Sequence, residues 1–246
     1  MTERIAKYLA RAGVCSRREA EELIKQERIT VNGETVTSPA FFVDGTEKIL
    51  FDGEKIKAKE KTRLWLYHKP TGLITTHKDE KDRETVFSHL PAGMPRVISI
   101  GRLDLNSEGL LLLTNDGALS RALELPENGW SRRYKVRVHG FVDAKKIKEL
   151  ENGTTIDGVT YAPCKITLEE KTKTNSWLTI SLNEGKNREV RKLLASIGLS
   201  VNRLIRLSYG PFQLGSLKRG EVREVPQKVL KEQLGKVYEI CEYSPV

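Results

Sequence analysis

Cysteine is scarce in this chain: Cys15, Cys164 and Cys241 are odd in number, far apart and without a Cys-x-x-Cys pair. That pattern excludes a disulfide framework and a zinc knuckle, and leaves reduced thiols, mostly of the core. Histidine is nearly as rare. His68, His77, His89 and His139 show no His-x3-His spacing and no carboxylate at metal-ligand spacing, so no metal site is expected. No phosphate loop of the form Gly-x-x-x-x-Gly-Lys-Ser/Thr occurs. No apolar run approaches the roughly 18 residues of a membrane span. The opening residues Met1-Thr2-Glu3-Arg4-Ile5 lack the hydrophobic stretch of a secretory signal, so a cytoplasmic protein with no membrane partner is expected.

What is present is an ordinary globular composition, 38% hydrophobic over 246 residues, long enough for one or two domains. Forty-two Lys and Arg against 33 Asp and Glu give a net charge of +9, which favours a polyanionic partner such as nucleic acid. The excess is unevenly placed. Residues 1–60 hold 11 basic and 11 acidic groups, whereas residues 183–223 hold nine basic and three acidic.

The first fifty residues read as a compact unit. Ile5, Leu9 and Ala12 share one side of a helix that Gly13 ends, with Arg4, Lys7 and Arg11 as a basic stripe beside it. Ser16-Arg17-Arg18-Glu19 has the form of a capping box before a second helix bearing Ala20, Leu23 and Ile24. Ile29-Thr30-Val31 and Thr35-Val36-Thr37 then flank the tight-turn dipeptide Asn32-Gly33 as a hairpin. The run from Arg4 to Val36 resembles an S4 domain, a small RNA-binding module. That resemblance implies that Arg4, Lys7, Arg11, Arg17, Arg18 and Lys25 are contacts to RNA backbone. The boundaries expected are 1–51 for this domain, 52–62 for a charged linker, and 63–246 for a second domain.

The second domain shows short β-type runs at 64–67, 110–113, 134–138, 178–182 and 201–209, separated by helical stretches near 118–125, 144–151 and 189–197. An α+β fold with a mixed, mostly antiparallel sheet flanked by helices is expected. Four consecutive leucines, Leu110 to Leu113, read as a strand buried on both faces. Just before them, Gly101-Arg102-Leu103-Asp104-Leu105-Asn106-Ser107-Glu108-Gly109 holds an arginine and an aspartate in a loop between glycines. Farther on, Asn187 reads as the N-cap of a helix whose buried stripe is Val190, Leu193, Leu194 and Ile197, with Gly198 as its stop. The cations Arg188, Arg191 and Lys192 near its start oppose the helix dipole, which suits either a bound anion or pairing with Glu184 and Glu189.

The motif Gly101 to Asp104 followed by Gly109 to Gly117 resembles motif II of pseudouridine synthases. His68-Lys69-Pro70-Thr71-Gly72 is similar to their motif I, Tyr134-Lys135-Val136 to motif IIa, and Gly185 to Leu194 to motif III. The order is the family's and the coverage nearly the whole chain; Ser107 stands where Thr is more usual. The specific resemblance is to the RsuA/RluB group. Asn187-Arg188-Glu189-Val190-Arg191 and Arg203 to Arg206 are similar to the large-subunit, RluB type.

The resemblance implies isomerisation of a flipped-out uridine in ribosomal RNA, most closely large-subunit (23S) rRNA, by a monomer that needs no cofactor, metal or nucleotide. It makes Asp104 the catalytic residue, acting at the sugar either as nucleophile at C1′ or as base at C2′. It implies that Arg191 pairs with Asp104, Tyr134 stacks on the uracil, and Arg102 enters the RNA stack. Lys186 and Arg188 join the RNA contacts, while Lys69 and Pro70 support the motif II loop. Alternatives from the sequence are a noncatalytic S4-type ribosome-assembly factor, a synthase acting on small-subunit rRNA, and a metal-dependent nuclease, which would want clustered acids that are not visible.

Overall fold

The computed structural model describes residues 2–56, 60–172 and 174–243. The N-terminal unit starts with two helices, α1 (Ile5–Arg11) and α2 (Arg17–Lys25). The expected capping box forms: Glu19 N–H donates to Ser16 Oγ at 3.2 Å and Ser16 N–H donates to Glu19 Oε2 at 2.7 Å. Two donors that the first helical turn would orphan are thereby satisfied. Asn32 and Gly33 both take positive φ, 53° and 91°, as a two-residue hairpin turn requires, joining β1 (Ile29–Val31) to β2 (Glu34–Thr35). Ile5, Leu9, Ala20, Ile24, Ile29 and Val43 have no exposed surface and form the core of this unit.

The sheet here is larger than a hairpin. β3 (Ile49–Phe51) pairs with β1, and β4 (Glu54–Lys55) pairs with β3, giving four strands in the order β2-β1-β3-β4. The charged run that begins at Asp52 is therefore not all connector. Asp52-Gly53 is a turn, and Glu54 and Lys55 are exposed on an edge strand, where no apolar alternation marks them. Ile56 packs on the N-terminal core, and Thr62 is fully buried where its Oγ1 donates to Asp116 Oδ2 at 2.6 Å. Residues 57–59 of the expected linker, residues 244–246 at the end of the second domain, and the Cys241 side chain lie outside the described residues.

The second unit is built on a nine-stranded sheet. Its strands are β5 (Leu64–Lys69), β6 (Ile98–Ile100), β7 (Glu108–Thr114), β8 (Arg132–His139), β9 (Lys165–Lys171), β10 (Asn175–Leu182), β11 (Ser200–Tyr209) and β12 (Val222–Glu224). They run in the order β9-β10-β8-β11-β7-β5-β12, with β6 beside β7 and the short strand Phe212–Gln213 beside β11. All pairings are antiparallel except that of β11 with β7, so the sheet is mixed and mostly antiparallel as expected.

Period-two alternation sends side chains to two cores. Leu110 and Leu112 of β7 meet α3 (Gly117–Glu124), α6 (Gln227–Leu234) and α7 (Lys236–Tyr243). Leu111 and Leu113 point the other way, toward Trp65, Tyr67, Val86 and Leu103. On that same side, α4 (Ala144–Glu151) and α5 (Glu189–Ser196) cover Val136, Val138, Leu178 and Ile180. All four leucines have zero exposure, so β7 is buried on both faces.

The parallel contact places Gly109 against Arg206. A Cβ at Gly109 would lie 2.4 Å from Arg206 O and 2.6 Å from Arg206 N, and its φ is +107°. Only glycine allows the two backbones to meet there. Gly109→Ala is expected to cost about 3 kcal/mol or more, read as a fall in the chemical-denaturation midpoint; a cost under about 1 kcal/mol would mean that this contact is loose.

Candidate active site

The loop between β6 and β7 carries Arg102 and Asp104 at the mouth of an open cleft of about 1060 Å³. What holds it is the ammonium of Lys69, at the end of β5 and fully buried. Its Nζ donates to the carbonyls of Pro70 at 2.9 Å, Asp104 at 3.1 Å and Ser107 at 2.9 Å, spending all three of its donors on main chain. Burial pushes the Lys69 ammonium down to about 8, with the negative charges of Asp104 and Glu108 acting against that shift. Further bonds brace the loop: Gly72 N–H to Leu105 O at 2.9 Å, Thr75 Oγ1 to Leu103 O at 2.9 Å, and Gly101 N–H to Glu124 Oε1 at 2.8 Å. Leu103 is 6% exposed and anchors the loop in the core under the cleft.

The Asp104 carboxylate emerges from this braced loop with its side chain one-third exposed, and its Oδ2 lies 3.3 Å from Nη1 of Arg188. The ion pair is thus made by Arg188, not by Arg191. Arg191 donates from Nη1 to Val201 O at 3.1 Å and from Nη2 to Asn106 O at 2.9 Å, so it holds the same loop by its main chain. Its Nε is buried with no partner among the described residues. Burial and the neighbouring Arg188 lower the Arg191 guanidinium from its ordinary value, against the pull of Asp104.

The start of α5 explains the exchange. Asn187 is not its N-cap; that position is Arg188, in the left-handed region at φ 51°, ψ 32°, without a side-chain cap. Glu189 folds back instead, its Oε2 accepting Lys186 N–H at 2.9 Å. This turns the Arg188 side chain toward Asp104. Lys186 takes the local acid, with Nζ at 2.5 Å from Glu184 Oε2 and 2.6 Å from Thr160 O.

Tyr134, on β8, lines the cleft and packs half-buried between the cores on either side of it. Arg102 lines it from an exposed position. Two arginines line it that motif spacing did not single out for a role, Arg132 and Arg206, and Glu189 lines it too. Arg206, 3% exposed, donates from Nε to Leu110 O at 2.7 Å, and its Nη2 has no partner among the described residues. Burial pushes the Glu189 carboxyl up to about 7, and the adjoining Glu184 carboxyl adds to the shift. The segment from Ile74 to Arg83 forms another wall, bearing Lys78, Lys81 and Arg83. Its cations were hidden in the sequence by interleaved acids, and Arg83 indeed pairs with Asp79 at 2.7 Å.

The six basic residues that the S4 resemblance makes RNA contacts divide. Lys7, Arg11 and Arg17 line a second cavity of about 600 Å³ shared with Arg96 and Arg121 of the second unit. Arg11 and Lys7 also pair with the buried Glu3, at 2.5 and 3.8 Å. Arg4 and Arg18 are exposed outside that cavity, and Lys25 pairs with Glu22 at 2.8 Å. Among the described residues, no three His, Cys, Asp or Glu side chains cluster as metal ligands, and no helix is long and apolar enough to cross a membrane.

Residues 63–196 match the family model of RNA pseudouridylate synthase, and residues 3–49 match the S4 domain. The chain is 50% identical to the uncharacterized RNA pseudouridine synthase of Rickettsia felis, over 94% of this chain and 100% of that protein. It is 40% identical to the ribosomal large subunit pseudouridine synthase B of Yersinia pestis, over 93% of this chain and 74% of that one. A crystal structure of a pseudouridylate synthase superposes with a TM-score of 0.66 at 27% identity, covering 94% of this chain and 99% of that one.

Two measurements test this geometry. Lys69→Met keeps the volume but orphans three carbonyls; a loss of about 3 kcal/mol in unfolding free energy is expected, and retention of full stability would show the clamp to be dispensable. Glu189 has a folded value of about 7 against an ordinary 4.5. The folded state therefore holds a proton that the unfolded state has released, and stability falls as pH rises through that window, levelling above it. Glu189→Gln should melt higher than the wild type at pH 8, with the gap closing toward pH 5; a gap independent of pH would contradict the assignment.

Proposed function

Because the chain belongs to the RNA pseudouridylate synthase family, we propose that its cleft isomerises one uridine of ribosomal RNA to pseudouridine, with Asp104 as the catalytic carboxylate. The observation that carries this reading is the placement of Asp104: a carboxylate on a loop clamped from below by Lys69, open to the cleft and faced by Arg188 at 3.3 Å. The reaction breaks the bond between N1 and C1′, turns the freed uracil and joins its C5 to C1′; C5 gives up its proton and N1 takes one, so the product is an isomer. Both routes to that exchange, attack on C1′ and removal of the C2′ proton, need a carboxylate at the sugar. The base must leave its stack, at a few kcal/mol. Arg102 on the exposed rim occupies the vacated place, and Tyr134 offers its ring to the extruded uracil.

Arg188 orients the carboxylate directly. Arg191 acts one step back, through its bond to Asn106 O, as a positioning residue for the loop. The buried Nε of Arg191 and Nη2 of Arg206, without a partner among the described residues, are donors available to the polar edge of a bound nucleotide. Large-subunit rRNA is the substrate favoured by the likeness to the Yersinia pestis enzyme and by the Asn187 to Arg191 pattern. The cytoplasm is where that RNA would be met, and the cleft is complete within one chain, which supports action as a monomer.

The test is a map of pseudouridines across all rRNA from cells lacking this gene, complemented with wild type or with Asp104→Asn. One large-subunit position should be lost, restored by wild type and left unmodified by the variant, whose RNA affinity stays within a few fold. Restoration by Asp104→Asn would remove it from catalysis. Loss confined to small-subunit rRNA or tRNA would overturn the substrate.

A further inference from the structure

Strand β8 presents two unlike faces. Arg132, Val136 and Val138 are buried on the side of the Asp104 cleft, whereas Arg133, Lys135, Arg137 and His139 are exposed on the other. The helices α3, α6 and α7 pack around β7 and its neighbours on that other side, leaving these β8 side chains open to solvent. Register extends the pattern across the sheet. Arg133 stands beside Ser181, and Ser181 beside Lys165; Lys135 stands beside Thr179, and Thr179 beside Thr167. In the last row, Arg137 lies between Trp177 and Arg203, with Glu170 beyond Trp177.

The result is a row of cations about 7 Å apart along β8, with the short hydroxyl side chains of Ser181 and Thr179 beside it on β10. Among the described residues none of Arg133, Lys135 and Arg137 makes an ion pair; Arg133 donates to Gln213 Oε1 at 3.2 Å. Arg203 is held by the buried Glu108, which also takes Arg219, and exposed Glu169 and Glu170 stand at the β9 end of this row. Aromatic rings are set among the cations. Lys135 Nζ lies 5.1 Å from the centre of Trp177, and just past the end of β8 the ring of Phe141, 76% exposed, meets Lys171 Nζ at 4.8 Å.

Like charges left unpaired on one face repel one another, and an exposed phenyl ring gains nothing from water. A polyanion with stackable bases relieves both. We propose that this face of β8 and β10, opposite the cleft, is a second RNA-contact surface that takes the phosphate backbone of an rRNA segment outside the stem that bears the modified uridine. The proposal rests on rRNA being the substrate. It adds a site that neither the cleft nor the cations of the N-terminal unit account for, since Arg133, Lys135 and Arg137 stand on the face of β8 opposite the cleft.

The test is a double charge reversal, Arg133→Glu with Arg137→Glu, and a milder Arg133→Gln with Arg137→Gln, both checked by thermal melting. Each is compared with wild type for binding to a full-length large-subunit rRNA transcript and for single-turnover modification of a short hairpin carrying the mapped uridine. The reversal should weaken binding to the long transcript roughly tenfold at low salt and flatten the slope of log affinity against log salt by about 1.5. The Gln pair should give a smaller loss in the same direction, and hairpin turnover should not change. Unchanged affinity and slope on the long transcript overturn the surface, whatever the variants do to binding of anionic lipid vesicles. An equal loss on the hairpin also overturns it, by placing the effect in the cleft. A wild-type enzyme that modified neither RNA would defeat the proposed function, while the binding arm would still decide for or against the surface.

Discussion

One buried ammonium carries the geometry of the cleft. Lys69 sits at the end of a central strand with no exposed surface, and its three donors all go to main-chain carbonyls of the two loops that meet there. A cation in that position cannot be idle, because leaving it or the carbonyls unpaired in a dry interior costs more than the bonds themselves contribute. The carbonyls of Asp104 and Ser107 are therefore fixed relative to β5, and the Asp104 carboxylate can remain at the surface without the loop that bears it being loose. A rigid support under an exposed polar group is how a site keeps its geometry while still meeting a substrate.

The other half of the geometry comes from the one parallel pairing. β11 meets β7 at Ile205↔Glu108 and Arg206↔Gly109, so the chain leaving α5 returns directly beneath the loop before β7. Gly109 permits the approach, and Arg206 caps it with a bond to Leu110 O. The start of α5 is thereby brought against Asp104, which lets Arg188 and Arg191 act on the same loop from one helix. Arg188 stays in a left-handed backbone that costs a non-glycine residue about 1 kcal/mol or more, an arrangement that persists because the neighbouring Glu189 side chain and its own guanidinium are engaged.

Much of this was legible from residues in order. The capping box at Ser16 and Glu19, the Asn32-Gly33 turn and the doubly buried leucine strand are local signals, and the structure reproduces each of them. The edge strand Glu54–Lys55 was not legible, because a strand with both side chains in water carries no alternation. Asn187 reads as a cap from its residue type and its place before the apolar stripe; Glu189, three residues after Lys186, makes the competing bond that wins. The choice between Arg188 and Arg191 as partner of Asp104 depends on how the helix start is twisted. Spacing along a helix does not encode that twist.

Charge shows the same limit in a different form. A bulk excess of nine said only that a polyanion was a fitting partner. In the fold, ten of the cations illustrate four different uses. Lys69, Arg191 and Arg206 hold main chain. Lys186, Arg83 and Lys25 are spent on nearby carboxylates. Arg188 faces the cleft carboxylate, and Arg133, Lys135 and Arg137 stand on the opposite face without an ion pair among the described residues. An internal cation bonded to carbonyls contributes to geometry and little to an external field, whereas an unpaired row on a flat sheet contributes chiefly to the field. The part of the charge that an RNA would feel is therefore the part that no local bond uses, and Arg133, Lys135 and Arg137 put some of it on the side of the sheet away from the chemistry.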